Sequence, residues 1–442
     1  MNNRKTAKYI ELYERYKKLI LSGMLAPGTK MPSVRRCSEQ FSLSRTTVEN
    51  AYGILTAEGY ITAKPQSGYY VSKLPSGHTG GEMHPLRGKS QTEKKPIYDL
   101  VDVAADKESF DFTLWQRYVK SALRQSERLL FYGDSRGEED LRAAIAKYVN
   151  DRRGVVGTGE NVIVSAGTQV LLSILCVLMK ERKTVAFLGF DFPKGRTVFE
   201  DYGKEVVLLS EGFDEKKLAE SKASIIYVSP SHIDSAGGVL PMGERLKIID
   251  YARKNDCIVI EDDYDSEFRY ASRPILSLQG LDGGKNVIYV GTFSRMLLPS
   301  IRIGFMVLTG ELCKAYAKRA HLYNQTASKA EQIALCRYIT DGHLLSRIKK
   351  QRRSYEVKSE KICSRGNELF FGEAEFLRSE TAYLIKVIDL KKRSSEALAK
   401  SALENGVRVR PLKEEGAILL SCAGFDAENT DDMLMRLKKA FD

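Results

Sequence analysis

The chain has 442 residues, 43% of them hydrophobic, with 69 Lys/Arg against 57 Asp/Glu and a formal net charge of +12. That length exceeds one ordinary compact domain, and the composition is that of a globular protein with a sizeable core. No run of about eighteen apolar residues occurs, which excludes a membrane-spanning helix.

The seven cysteines are scattered without a C-x-x-C pair, so free thiols are expected rather than a disulfide framework or a zinc site. The basic N-terminal stretch lacks the apolar segment and cleavage site of a signal peptide, and a cytoplasmic location is expected. Charge is uneven: residues 1–74 hold 12 Lys/Arg and 5 Asp/Glu, residues 75–96 hold 4 and 2, and the remainder holds 53 and 50. A basic first fifth attracts polyanions by displacing their counterions, although a merely solvated face explains the charge equally well.

In chain order, Ile10, Leu12, Tyr13, Tyr16, Leu19 and Ile20 recur at helical spacing, and Met24–Gly28 breaks that helix. Ser33 is a candidate N-cap for a second helix, and Ser44 for a third over Arg45–Glu58, with Gly59 as its C-cap. Tyr60–Thr62 and Tyr69–Val71 flank Lys64-Pro65-Gln66-Ser67-Gly68, a predicted β-hairpin. Residues 75–96, rich in Gly, Ser, Lys and Pro, suit a flexible linker.

From Ile97 onward short apolar runs alternate with helical stretches. They lie at Val162–Ser165, Val185–Leu188, Val206–Leu209, Ile225–Val228, Cys257–Ile260 and Val287–Val290, the pattern of a mostly parallel sheet covered on both faces. Residues 310–366 read as mostly helical. A smaller α+β portion follows, ending in an amphipathic helix near Asp432–Phe441.

Between Tyr9 and Val71, the residues Gly28, Met31-Pro32-Ser33-Val34-Arg35, Leu43-Ser44-Arg45-Thr46-Thr47-Val48, Ala51-Tyr52, Glu58-Gly59-Tyr60 and Ser67-Gly68 resemble the winged helix-turn-helix of GntR-type regulators. The resemblance implies that residues 1–74 bind double-stranded DNA at a promoter operator. Arg45, Thr46 and Thr47 would enter the major groove at the start of the recognition helix. Arg45 would contact a guanine or a phosphate, and the Ser44, Thr46 and Thr47 hydroxyls would fix register on the backbone. Arg35 begins the preceding helix, where family members contact DNA, and Lys64 and Ser67 sit at the tip of the wing.

Residues 97–442 carry Tyr132-Gly133-Asp134, Ser165-Ala166-Gly167-Thr168-Gln169, Pro230-Ser231-His232, Glu261-Asp262-Asp263-Tyr264-Asp265, Gly291-Thr292-Phe293-Ser294-Arg295 and Arg302-Ile303-Gly304. In this order they resemble an α/β fold-type I aminotransferase domain with a mostly parallel sheet. The whole chain resembles the MocR/GabR family: an α+β winged helix-turn-helix head on an aminotransferase-like effector-binding and dimerisation body.

The resemblance assigns Gly167, Thr168, Thr292, Ser294 and Arg302 to a phosphate, with helix N-terminal amides contributing. Asp262 falls to a pyridine nitrogen, Tyr264 to a phenolic oxygen, Phe192 to ring stacking, and Tyr132 to the site of a partner subunit in a homodimer, which in relatives is head-to-tail. At residue 295 the family carries the lysine that forms a Schiff base with pyridoxal phosphate. Arg295 stays protonated and offers no nucleophile. The family's carboxylate-binding Arg aligns with Leu419, and Ile233-Asp234-Ser235-Ala236-Gly237 departs from the usual polar-Pro-Thr-Gly stretch.

The expectation is therefore a regulator without catalysis, whose body holds pyridoxal phosphate or another small anionic effector non-covalently, with no Schiff base. Two alternatives stand beside it: a pyridoxal-phosphate enzyme with a DNA-binding head, and a ligand-independent regulator whose body is purely structural. The five histidines show no metal-ligand spacing.

Overall fold

The computed structural model describes residues 7–73, 96–101, 110–189, 192–210, 212–234, 236–269, 275–414 and 416–441. Two compact units are divided between residues 93 and 94. The predicted linker, residues 75–96, falls outside the described residues except for Pro96.

In the head, helices Lys8–Leu21, Val34–Phe41 and Arg45–Ala57 precede a hairpin of Ile61–Lys64 and Gly68–Val71. Ser33 and Ser44 cap the second and third helices by accepting from the Arg36 and Thr47 amides, each at 3.2 Å. The third helix ends one residue earlier than expected. Glu58 is its C-cap, and Gly59 follows at φ 78°, the left-handed turn that releases the chain into the hairpin. Tyr52, fully buried, is the hub: its hydroxyl donates to the Pro32 carbonyl at 3.0 Å, and its ring meets Tyr16 and Tyr69 edge-on. Residues 28–31 lie along Tyr69–Val71 as a further extended segment, with Met31 N–H donating to Tyr69 and Val71 N–H to Thr29.

The body is built on a seven-stranded sheet. From one edge its order is Val162–Ser165, Gly304–Val307, Val287–Thr292, Ile258–Asp263, Ile225–Val228, Thr184–Leu188 and Glu205–Leu209. Every residue of Thr184–Leu188 and Ile225–Val228 is buried, as helices on both faces require. The seventh strand, Gly304–Val307, was not among the runs expected. It is only four residues long and pairs antiparallel with both neighbours, so its place depends on partners remote in sequence. The run expected at Cys257–Ile260 is displaced to Ile258–Asp263, which brings the acidic residues into the strand itself.

Helices Gly310–Ala317, Lys329–Thr340 and His343–Leu369 then lead to a four-stranded antiparallel sheet ordered Ala374–Arg378, Leu384–Asp389, Ala417–Ser421 and Arg410–Pro411. The last helix is Thr430–Lys438, ending before the expected Phe441.

Gly291 shows how tightly the strand leading to the site is packed: a Cβ there would lie 2.5 Å from Phe305 Cζ, inside a buried cluster. Gly291→Ala is therefore expected to lower the urea-unfolding free energy by about 1–3 kcal/mol through overpacking. An unchanged midpoint would contradict that packing.

Candidate functional site

In the head, the N-terminal turn of Arg45–Ala57 is presented to solvent, with Arg45 and Thr46 exposed and Val48, Ala51, Tyr52 and Leu55 buried beneath. Arg45 has no carboxylate partner among the described residues. The Ser44 and Thr47 hydroxyls hydrogen-bond each other at 2.7 Å, so both are engaged in the cap. Arg35 is exposed and bonded to Glu39 at 3.2 Å, an exposed pair that a phosphate can displace at little cost. At the wing, Lys64 is exposed, and Ser67 shares a 2.7 Å hydrogen bond with the Tyr70 hydroxyl.

In the body, a cavity of about 330 Å³ opens at the carboxyl ends of the parallel strands. Gly167, Thr168, Thr292, Ser294 and Arg302 line it, and so do Phe192, Asp262, Tyr264 and Arg295. Tyr132 does not; its side chain is fully exposed, beside exposed Leu130 and Phe131.

Gly167 stands at φ 102° before the helix Thr168–Leu178, and a Cβ on it would lie 3.0 Å from Arg302 Nη2. Only glycine lets the backbone and the guanidinium come this close. Thr292 Oγ1 donates to Ser294 Oγ at 3.2 Å. Arg302 itself holds φ 53°, a conformation uncommon for a residue with a side chain. A helix N-terminus, two hydroxyls and an Arg thus converge on one end of the cavity, the donor set of an anion site.

Strand periodicity sorts the acidic run. Glu261 accepts the Leu278 and Gln279 amides, each at 2.9 Å. Asp263 takes Arg153 at 2.8 Å and the Tyr289 hydroxyl at 2.7 Å. Asp262 alone lines the cavity, accepting a hydrogen bond from Tyr227. Burial pushes the Asp262 carboxyl up to about 7, against the lowering effect of the Tyr227 hydroxyl. Phe192 precedes the helix Pro193–Asp201, and its ring stacks on that of Tyr227 with centroids 6.3 Å apart. Gly195 leaves room for it, since a Cβ there would lie 2.3 Å from Phe192 Cδ1.

Arg295 follows the strand Val287–Thr292, and its Nη1 donates to the Tyr383 hydroxyl. Tyr383 in turn donates to Asp265 Oδ2 at 2.8 Å, and His232 Nδ1 lies 3.0 Å from the same oxygen. The guanidinium carbon sits 5.0 Å from the Tyr264 ring centroid and 5.3 Å from that of Tyr383. Burial works against its charge, but Tyr383 and Asp265 outweigh that and keep Arg295 cationic, with its pKa above the ordinary value.

Sequence reasoning missed Tyr227, His232, Lys194 and Arg410, which line the same cavity. Arg410 lies opposite Leu419 in the strand register and has no carboxylate partner among the described residues. Leu419 carries no charge, but the neighbouring strand places Arg410 at the cavity, a placement that the residue at 419 does not reveal. Among the described residues no cluster of His, Cys, Asp or Glu could hold a metal.

The Aminotransferase class I and II family matches residues 102–437, and the bacterial regulatory proteins of the gntR family match residues 8–71. The uncharacterized HTH-type transcriptional regulator YdeL of Bacillus subtilis (strain 168) is 33% identical, over 98% of this chain and 96% of that protein. The probable rhizopine catabolism regulatory protein MocR of Rhizobium meliloti is 29% identical, over 98% and 93%. The kynurenine aminotransferase of Pyrococcus horikoshii, solved in complex with PMP, superposes with a TM-score of 0.67 at 21% identity, covering 79% of this chain and 91% of its own. At that identity the likeness establishes the fold.

The buried Asp262 makes stability pH-dependent. Its ordinary value is 3.8, so between there and about 7 the folded protein keeps a proton that the unfolded chain has released. This stabilisation is complete below the unfolded value and is lost as pH rises through about 7. Asp262→Asn removes the dependence. Relative to that variant, wild type should lose roughly 1–4 kcal/mol of unfolding free energy between acid and alkaline pH. Parallel pH profiles would contradict the assignment.

Proposed function

The chain belongs to the HTH-type transcriptional regulators that join a GntR head to an aminotransferase class I and II body, and we propose that this body is a non-catalytic, non-covalent receptor for a phosphorylated anion of the pyridoxal phosphate type. The chain is a DNA-binding transcription regulator. The observation that carries the ligand reading is the convergence, on one cavity, of Gly167, Thr168, Thr292, Ser294 and Arg302 with Asp262, Tyr264 and Phe192.

The residues fit the group. Gly167 and Thr168 amides, the two hydroxyls and Arg302 suit a phosphate, and Asp262 suits a heterocyclic nitrogen whose positive charge would hold the carboxyl ionised. When bound, pyridoxal phosphate supplies an aldehyde that a neutral amine can attack. Arg295 occupies the place of that amine, and its guanidinium is cationic and tied to Tyr383. It strengthens anion binding and supplies no nucleophile. Lys194 lines the cavity, yet it stands at the start of a helix beside Phe192 rather than on the strand end that carries Arg295.

The protein acts as a homodimer in this reading. Leu130, Phe131 and Tyr132, at 80, 72 and 103% exposure, form an apolar segment for a second copy to cover, with Tyr132 reaching the partner's cavity. A cytoplasmic location agrees with seven free cysteines and with the absence, among the described residues, of a helix able to cross a membrane. Coupling to DNA requires that the ligand bind the DNA-competent and incompetent arrangements with different affinity.

Calorimetric titration of the full chain with pyridoxal phosphate should give saturable heat, and Arg302→Gln should weaken binding about tenfold or more. No heat with either protein would leave the body as a structural dimerisation unit. In the head, Arg45→Ala should cost about 1–3 kcal/mol in operator affinity and relax preference at one base position. A uniform loss across all sequences would mean that Arg45 touches only phosphate.

A further inference from the structure

Arg295 places a permanent cation at the part of the cavity where related ligands differ most. Its only hydrogen bond among the described residues runs from Nη1 to the Tyr383 hydroxyl. The Nε and Nη2 donors therefore remain available at the cavity that the side chain lines. The guanidinium carbon lies 5.0 Å from the Tyr264 ring centroid, so Arg295 packs on Tyr264. In the receptor reading Tyr264 meets the phenolic oxygen of the bound ring and Asp262 its nitrogen. In a ring of the pyridoxal type the carbon next to the phenol bears the substituent that defines the compound: aldehyde, alcohol, carboxylate or amine. The side chain packed on Tyr264 is the one that meets this substituent.

The charges of the walls favour one class of substituent. Lys194, Arg295, Arg302 and Arg410 line the cavity, and Asp262 is the one carboxylate that does so among the described residues. Asp262 is engaged by the Tyr227 hydroxyl and suits the ring nitrogen. Asp265 balances Arg295 from outside the lining, and its Oδ2 is taken by Tyr383 at 2.8 Å and His232 at 3.0 Å. An ammonium group beside Arg295 would face a like charge with no carboxylate to offset it. A lysine could shed its proton and tolerate that neighbour; a guanidinium cannot. An oxygen acceptor takes the available N–H groups instead, and a carboxylate matches their fork with two parallel bonds.

We propose that Arg295 makes the cavity selective for pyridine phosphates that carry an oxygen acceptor next to the phenol, a carboxylate above all, and that it disfavours those carrying an amine there. This selectivity rests on the receptor reading of the cavity and names the class of effector it takes. Gly167, Thr168 and Arg302 hold a phosphate common to the whole class, so the discrimination falls to Arg295.

The test is calorimetric titration of the full-length protein with phosphates of the pyridoxal type in which the aldehyde is replaced by a carboxylate, a hydroxymethyl or an aminomethyl group. None of these compounds can form a Schiff base with a lysine, so only non-covalent binding is read. The carboxylate should bind at least about tenfold more tightly than the amine, with the alcohol between them. Arg295→Gln, which removes the charge and keeps a planar amide, should bring all of them within a few-fold of one another. Arg302→Gln should weaken all of them by a similar factor. The wild-type order is read without any variant, so a destabilised Arg295→Gln does not blunt the test. Equal wild-type affinities, or tighter binding of the amine, overturn the proposal and leave the receptor reading standing. An order of affinities that folded Arg295→Gln preserves overturns it as well. If none of the compounds binds, the receptor reading fails and the selectivity with it.

Discussion

The guanidinium of Arg295 joins two layers of the body. It leaves the end of the strand Val287–Thr292 and donates to Tyr383, which opens the strand Leu384–Asp389 of the smaller sheet. Tyr383 passes the contact to Asp265, and Asp265 is shared with His232. A buried cation needs this kind of partnering, because an uncompensated charge out of water is costly. The same network fixes where the positive charge stands in the cavity. An amine free to attack a carbonyl must be neutral and mobile, and Arg295 is neither.

The period of the β-strand does the rest. Glu261 and Asp263 point away from the cavity into the helix Leu278–Asp282 and toward Arg153, where they are satisfied by amides and a guanidinium. Asp262, one residue out of phase, is left with the Tyr227 hydroxyl and the cavity. Its raised pKa follows from that burial, and a cationic heterocycle is the kind of partner that restores its charge. Arg302 and Arg410, with Lys194, line the cavity and make its walls attractive to anions.

Much of this was legible in the sequence because it depends on local chemistry. Ser33 and Ser44 are caps recognisable from spacing alone, and the order of glycine, hydroxyl and acidic motifs identified the body. What escaped depends on contacts between remote segments. Gly304–Val307 is no shorter than strands that were expected, but it opens on the glycine of the Arg302-Ile303-Gly304 motif and is defined by antiparallel pairing with two strands that lie before it in the chain. Arg410 enters the cavity only because Arg410–Pro411 pairs with Ala417–Ser421, a register no periodicity encodes. Tyr227 looked like one residue of a buried apolar run, and its hydroxyl acquires meaning only beside Asp262.

The central claim is that Arg295 makes the body a receptor rather than a catalyst. It is tested most directly by treating wild type and Arg295→Lys with pyridoxal phosphate, reducing with borohydride and mapping the adduct by mass spectrometry. The account predicts no adduct in wild type and a single adduct at residue 295 in the variant. A saturable adduct on one lysine of the wild-type cavity, Lys194 in particular, would contradict it, because another amine would then have taken over the lost role.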